Sequence, residues 1–462
     1  MNKKIAILIA FLSINAFGQL KKITLEESVL QQGRKFGADK LTGFQWIPNT
    51  NKYVYYTDAW TKMMTATTAD AKTSELTTLA DINAALGTKL KNFFGVQWID
   101  ANTILVTENG KSYSYNLSTK SGKSIAESPE NGENQTFDSS YKNLAFTEGN
   151  NLFFINDKKE KIAVTNNSDK NIVSGQSISR NEFGISGGIF WSPKSSFLAF
   201  YQKDETDVAD YPLLDITETP GKLVNIKYPM IGQKSEKPRV GIYNLASGKT
   251  VFISPKNNPE DYVTNLAFTP DEKYVLIAEL NRGQNDMNLN LYETATGNFV
   301  RTLFNEKNSK WVEPEHAAFF PNSKSNNFVW ISEKDGWNHA YKITLDGKEQ
   351  LLTPGDFDVI DILSYSEQNN KMYYTASPDN PRQRYLFSTT LDGQGKSTRI
   401  TPLTQSGTHS YEISPDQKMA FHSFNSSQIS RMSEVVNLPD HSVAGGKEGV
   451  EAKLSKVRLA QR

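Results

Sequence analysis

The chain has 462 residues, with 51 lysines plus arginines against 51 aspartates plus glutamates and no cysteine. Neither sign gathers into a long block, which speaks against nucleic acid or a charged membrane surface as partner. Without cysteine there is no disulfide framework, no thiol nucleophile and no lipid-attachment site of the bacterial lipoprotein kind.

In chain order, residues 1–18 read as a signal peptide: basic Lys3 and Lys4, an apolar run from Ile5 to Phe17, and small residues at Ala16-Phe17-Gly18 before Gln19. Ser13 and Asn15 interrupt that run, which falls well short of the ~20 residues that span a bilayer. The expectation is export to the periplasm or beyond, with no membrane anchor. Residues 19–43 form an N-terminal segment in which Thr24-Leu25-Glu26-Glu27 fits a capping box opening a short helix. A second helix is expected from Asp81 to Lys91.

From residue 44 to 440 one phrase returns eight times: an aromatic residue or Ile, a polar turn often carrying Pro, then a hydrophobic strand. Its leading residues are Trp46, Trp98, Phe137, Trp191, Phe268, Phe319, Tyr365 and Ile413. Their intervals are 52, 39, 54, 77, 51, 46 and 48 residues, so all but one lie near the ~40–50 of propeller repeats. Second halves of the units carry Gly turns joining two strands, as around Gly248, Gly297 and Gly347. Short strands of β-branched and aromatic residues with almost no helical period favour radially repeated sheets. The fold class is therefore all-β, an eight-bladed β-propeller of four-stranded antiparallel blades. The one long interval holds an insertion from about Asp204 to Pro238. Residues 441–462, and Gly445 to Arg462 above all, are too poor in apolar residues to form a core and read as a hinge.

Several strings resemble the N-terminal domain of the dipeptidyl peptidase IV and prolyl tripeptidyl peptidase branch of the prolyl oligopeptidase family, in its bacterial form. They are Asn181-Glu182-Phe183-Gly184-Ile185 leading to Trp191-Ser192-Pro193, Leu198 to Glu205, Lys227-Tyr228-Pro229-Met230-Ile231-Gly232, Leu280 to Asn285 and Asp335-Gly336-Trp337-Asn338-His339. Their order extends from about Ile23 to about Asp440. The resemblance implies a propeller that caps an α/β-hydrolase domain, screens peptides by size and holds their free amino terminus. It places an extension toward substrate or a partner subunit in the long insertion. The catalytic Ser, Asp and His would lie in a hydrolase domain beyond the hinge, so this chain alone is expected to be inactive. A peptide with a free N-terminus is the expected ligand, and a second copy or a hydrolase the expected protein partner. The other reading is a stand-alone periplasmic propeller that binds peptides or proteins.

Gly184-Ile185-Ser186-Gly187-Gly188 matches the spacing of a nucleophile elbow, but a strand pattern follows it where a helix is needed. No catalytic residue is assigned. The five histidines are widely scattered along the chain, with no metal-binding spacing, and neither metal nor cofactor is expected. His339 reads as a blade-turn residue satisfied locally. Glu182 is the leading candidate for binding a substrate ammonium, because a carboxylate facing a cavity makes a charge-assisted hydrogen bond. The family's adjacent pair of glutamates is matched here by Arg180-Asn181-Glu182, so one carboxylate remains; these three are the expected amino-terminus-binding residues, with a local pairing of Glu182 to Arg180 or another base as the structural alternative. The family's early propeller arginine has no counterpart, since no arginine lies between Arg34 and Arg180. Asp204 and Glu205 open an acidic run on the insertion that could meet substrate or partner, or serve only as a solvated loop.

Overall fold

The computed structural model describes residues 24–31, 41–68, 72–321 and 326–444, apart from the single positions 367, 379, 395 and 430. Residues 1–18, expected to be a signal peptide, and residues 445–462, expected to be a hinge, lie outside the described residues. The first helix, α1 (Leu25–Val29), opens on the capping box of Thr24 and Glu27. The second, α2 (Leu79–Leu86), sits earlier than the sequence placed it, because Thr78 and not a later residue caps it together with Asp81. It ends where Gly87 takes φ 68°.

The eight repeats are eight blades around a ring. Blade 1 (Thr42–Trp46, Lys52–Thr57, Lys62–Thr67, Thr73–Thr78) sets the pattern of four antiparallel strands, each paired to the one before it. Each leading residue of the sequence repeat stands at or within two residues of the end of an inner strand or, for Phe319, in the bridge that replaces it, just before the turn into the second. Blades 6 and 8 vary the pattern at their edges. In blade 6 the inner strand shrinks to a bridge between Phe319 and Val329, and in blade 8 Val443 returns to bridge Val436.

Both faces of each sheet must be buried, and the second strands show how. Along Phe197–Asp204 of blade 4, Leu198 and Phe200 pack toward blade 3 while Ala199 and Tyr201 pack toward blade 5. A strand with apolar residues on both faces reads as an unbroken hydrophobic run, not an alternating one. The core is thus a set of clusters lying between neighbouring blades. The ring closes by the same device: Phe44 of blade 1 stacks on Phe421 of blade 8 with centroids 4.2 Å apart, and Trp46 Nε1 donates to the Glu412 carbonyl at 2.8 Å.

Blade 4 carries the departures that matter for function. Its inner strand is in two pieces, Ile172–Ser174 and Ile189–Trp191, both paired to Phe197–Asp204. The chain leaves the sheet between them and returns. Tyr201 clamps both stems, its carbonyl accepting from Gly175 N at 2.8 Å and its N–H donating to the Gly188 carbonyl at 3.0 Å. The long insertion emerges between the second strand and the third (Lys237–Asn244) as a separate hairpin, Asp210–Asp215 with Lys222–Lys227. Loops that enter inner strands and turns that follow second strands share one face of a propeller. The excursion and the insertion therefore meet there.

Candidate functional site

The excursion from the inner strand of blade 4 is built around one exposed carboxylate. Ile178, Phe183 and Ile185 bury their side chains in the core, and Phe183 lies 4.8 Å from the ring of Tyr262 in blade 5. Between these anchors the backbone makes a left-handed turn, with φ of 51° at Ser179, 55° at Arg180 and 64° at Asn181, then 58° at Phe183. Such residues cost about 1 kcal/mol each unless the surroundings hold them. Here the surroundings do. Ser179 N donates to Glu236 Oε1 at 2.6 Å, Asn181 N to the Ile178 carbonyl at 3.0 Å, and Thr264 Oγ1 to the Phe183 carbonyl at 2.7 Å. Gly184, at φ 73°, is pressed so close to blade 6 that an added Cβ would lie 2.0 Å from the Glu315 carbonyl oxygen. Gly188 is equally constrained, its Cβ position lying 2.1 Å from the Gln176 carbonyl oxygen. The glycines that mimic a nucleophile elbow are thus close-approach residues of a loop stem. Ser186 leads into the strand Ile189–Trp191, not a helix.

Glu182 sits at the crest of this loop and lines a cleft of about 220 Å³ with Arg180, Tyr228, Glu236, Glu260 and Arg282. Two of the three cleft carboxylates are already engaged. Glu236 caps Ser179 and lies 3.7 Å from Lys203, while Glu260 lies 3.8 Å from Lys234. Glu182 is exposed, and among the described residues its carboxylate has neither an ion pair nor a hydrogen bond. Arg180 does not pair with it. Its guanidinium donates to the Lys227 carbonyl and lies 4.8 Å over the ring of Tyr228, so it ties the excursion to the insertion. Asn181 is exposed and lies outside the residues lining the cleft.

The acidic run on the insertion is largely neutralised. Glu205 pairs with Lys203 at 2.9 Å, Asp207 with Lys237 at 2.6 Å and Asp210 with Lys227 at 3.2 Å. Asp204 accepts the Thr206 backbone N–H at 2.9 Å in a local turn. The run thus stiffens the base of the insertion, and Asp204 and Glu205 do not line the cleft.

The chain matches the family described as the dipeptidyl peptidase IV (DPP IV) N-terminal region over residues 107–431. It belongs to that family. A structure from Bacteroides ovatus assigned as a dipeptidyl aminopeptidase IV is 29% identical, with a TM-score of 0.82, and the match covers 92% of this chain and 62% of that one. Dipeptidyl peptidase 4 of Porphyromonas gingivalis shares the fold at a TM-score of 0.76 and 21% identity, over 95% of this chain and 64% of that one. A sequence from Pyrenophora teres f. teres assigned as a dipeptidyl-aminopeptidase B is 25% identical over 66% of this chain and 37% of its own length. The chain therefore spans little more than a third of that curated relative.

Within this DPP IV N-terminal propeller, one constellation escaped the sequence. His409, His422 and His441, 13 and 19 residues apart in the chain, come together in blade 8. His409 Nδ1 lies 2.8 Å from His422 Nε2, His422 Nδ1 lies 3.0 Å from Glu434 Oε1, and Tyr411 Oη lies 3.0 Å from His441 Nε2. Antiparallel register does this, pairing His409 with Phe424 and Tyr411 with His422 across two strands. The histidines are scattered in sequence but not in space. They are buried, and burial pushes His409 down to about 3 and His441 to about 4, with the charge of His422 adding to both. Their nitrogens bond to one another, to Glu434, to Tyr411 and to the Gln405 carbonyl, and among the described residues no group of side chains could hold a metal ion. His339 keeps a local partner, Asp335 at 2.8 Å, while its Nε2 is buried without one. No helix of the described residues is long and apolar enough to cross a membrane.

Proposed function

We propose that this propeller is the substrate-gating half of an exported prolyl serine exopeptidase, and that it binds the free amino terminus of a peptide at Glu182. The observation that carries the reading is a carboxylate left without partner at the crest of a strained loop, while neighbouring Glu236 and Glu260 are both engaged. Holding several left-handed residues to present one free charge has a purpose if an ammonium is to be bound, since such a contact is charge-assisted and stronger away from bulk water. The names of the relatives, dipeptidyl aminopeptidases and peptidases, support the same substrate class. With one carboxylate in place of a pair, the preferred product length leans toward the tripeptidyl branch.

In this reading the 462 residues bind peptides and do not cleave them, since Ser186 belongs to a loop stem. The hairpin Asp210–Asp215 and Lys222–Lys227 supports a protein partner, either a second copy or a hydrolase domain. Its Leu214, Ile216 and Leu223 stand 63%, 79% and 75% exposed, too apolar for a hairpin left in water. Residues 1–18 direct the chain to the periplasm or the medium.

The test pairs binding with chemistry. The purified chain is titrated calorimetrically with a free Xaa-Xaa-Pro peptide and its N-acetylated form, then incubated with chromogenic Xaa-Pro and Xaa-Xaa-Pro substrates and a serine-directed phosphonate probe. Binding of the free form alone, with no turnover and no labelling, is expected. Equal binding of both forms removes Glu182 from its role, and turnover with labelling of this chain removes the division of labour.

A further inference from the structure

The Glu182 cleft holds a second charge, whose field reaches Asp261 but which has neither an ion pair nor a side-chain hydrogen bond among the described residues. Arg282 stands at the turn after the second strand of blade 5 (Tyr274–Leu280), on the face that carries the blade 4 excursion. Its guanidinium lies 4.9 Å over the ring of Tyr262, whose hydroxyl accepts from Gln284 Nε2 at 3.1 Å. Its backbone N–H donates to Asp261 Oδ1 at 2.8 Å, which fixes the turn. Yet among the described residues the guanidinium donates no hydrogen bond and has no carboxylate within 4 Å. This contrasts with Arg180 across the cleft, which is stacked on Tyr228 and also bonded to the Lys227 carbonyl. An arginine flattened on an aromatic face presents a planar fork of donors suited to a carboxylate. A further polar group awaits a partner here: Ser179, 7% exposed and lining the cleft, has its Oγ buried without a hydrogen bond.

We infer that Arg282 is a specificity-determining residue that reads a carboxylate, so that the cleft selects peptides carrying a negative charge close to their free amino terminus. The inference rests on the Glu182 reading proposed above and adds the substrate class. At about 220 Å³ the cleft is smaller than the ~300–1,000 Å³ of pockets that enclose drug-sized ligands, so it takes the end of a peptide and not its length. A carboxylate can reach Arg282 from an acidic side chain or from the C-terminus of a very short peptide. The two sources share one chemistry and are separable by experiment.

Calorimetry on the full chain decides, with Ala-Pro-Asp-amide against Ala-Pro-Asn-amide and Ala-Pro-Gly against Ala-Pro-Gly-amide, for the wild type and Arg282→Gln. The expected result is a preference of about fivefold for the charged member of at least one pair, the scale of one solvent-exposed ion pair, which Arg282→Gln abolishes. A preference confined to the Asp/Asn pair identifies a side chain as the source, and one confined to the acid/amide pair identifies the C-terminus. Equal affinities within both pairs, or a preference that survives Arg282→Gln, overturns the inference. N-acetyl-Ala-Pro-Gly separates the two claims. Loss of binding on acetylation without any charge preference overturns Arg282 alone, and a charge preference without an acetylation effect overturns Glu182 alone. No binding of any peptide at about 1 mM overturns both.

Discussion

Two centres of ionisable side chains stand on this propeller, and they are built on opposite principles. In blade 8, His409, His422 and Glu434 are buried and consume each other's hydrogen-bonding capacity. In the cleft beside blade 4, Glu182 and Arg282 are exposed and consume nothing. The first centre shows the perturbed protonation that often marks a functional site. The second alone has charge to offer a ligand. Burial perturbs a group without giving it a task. A loop held in an unfavourable conformation to display an unpaired charge is the stronger sign of function.

The contrast breaks most visibly at Glu434. His409 Nε2–H donates to the Gln405 carbonyl, so His409 Nδ1 accepts from His422 Nε2–H and the remaining nitrogen of His422 must meet Glu434. Glu434→Ala leaves that nitrogen buried without a partner, and the expected loss is about 1–3 kcal/mol in chemical denaturation. Glu434→Gln keeps a hydrogen-bonding group there and should recover most of the loss. If the alanine variant unfolds at the wild-type denaturant concentration, blade 8 is not held by this chain of contacts. Peptide binding is expected to survive both substitutions under conditions where the variants remain folded.

Gly184→Ala attacks the other centre through its scaffold. The added methyl must displace the Glu315 carbonyl or force the loop out of φ 73°, for an expected cost of about 1–3 kcal/mol. The readout that separates this from general destabilisation is peptide affinity, which should fall as the Glu182 crest shifts. Unchanged affinity in a folded Gly184→Ala protein means that the loop conformation is not what presents the carboxylate.

Acid sharpens the comparison. His409 and His441 are held well below the ordinary histidine value by burial, so the unfolded chain binds more protons than the folded one as pH falls below about 6.5. The stability contributed by their neutral forms is fully present above that pH and is lost progressively toward about 4 and then 3. Thermal unfolding followed from pH 7 to pH 4 should show the melting temperature dropping by several degrees, and His409→Asn should flatten the drop. A profile that is level over that window, or that rises toward acid, contradicts neutral buried histidines.

The repeat architecture was legible because each leading residue, from Trp46 to Ile413, occupies the same turn of its blade, and strand turns leave local sequence signals. The string around Glu182 singled that residue out as the candidate, and the insertion showed as an interval of 77 residues where the others lie between 39 and 54. What could not be read depends on contacts between distant strands. Nothing near Gly184 announces the Glu315 carbonyl, and so its pattern imitated a nucleophile elbow. Nothing in the spacing of His409, His422 and His441 states the register that stacks them. Arg282 escaped for the same reason. It belongs to blade 5 and reaches the cleft only when the ring is assembled, so an argument from the missing early arginines could not find it.

The smallest stability effect is the most telling. Glu182→Gln removes a charge that has no ion pair or hydrogen bond among the described residues and should alter unfolding by no more than about 0.5 kcal/mol, as for ordinary surface substitutions. The same change should weaken binding of a free peptide about tenfold, the scale of one hydrogen bond to a charged group, and leave the N-acetylated peptide as it was. A charge with a structural task would give the reverse, a stability loss with binding intact. The two measurements on one variant therefore assign Glu182 to one principle or the other, and Glu434, measured in the same way, supplies the opposite pole.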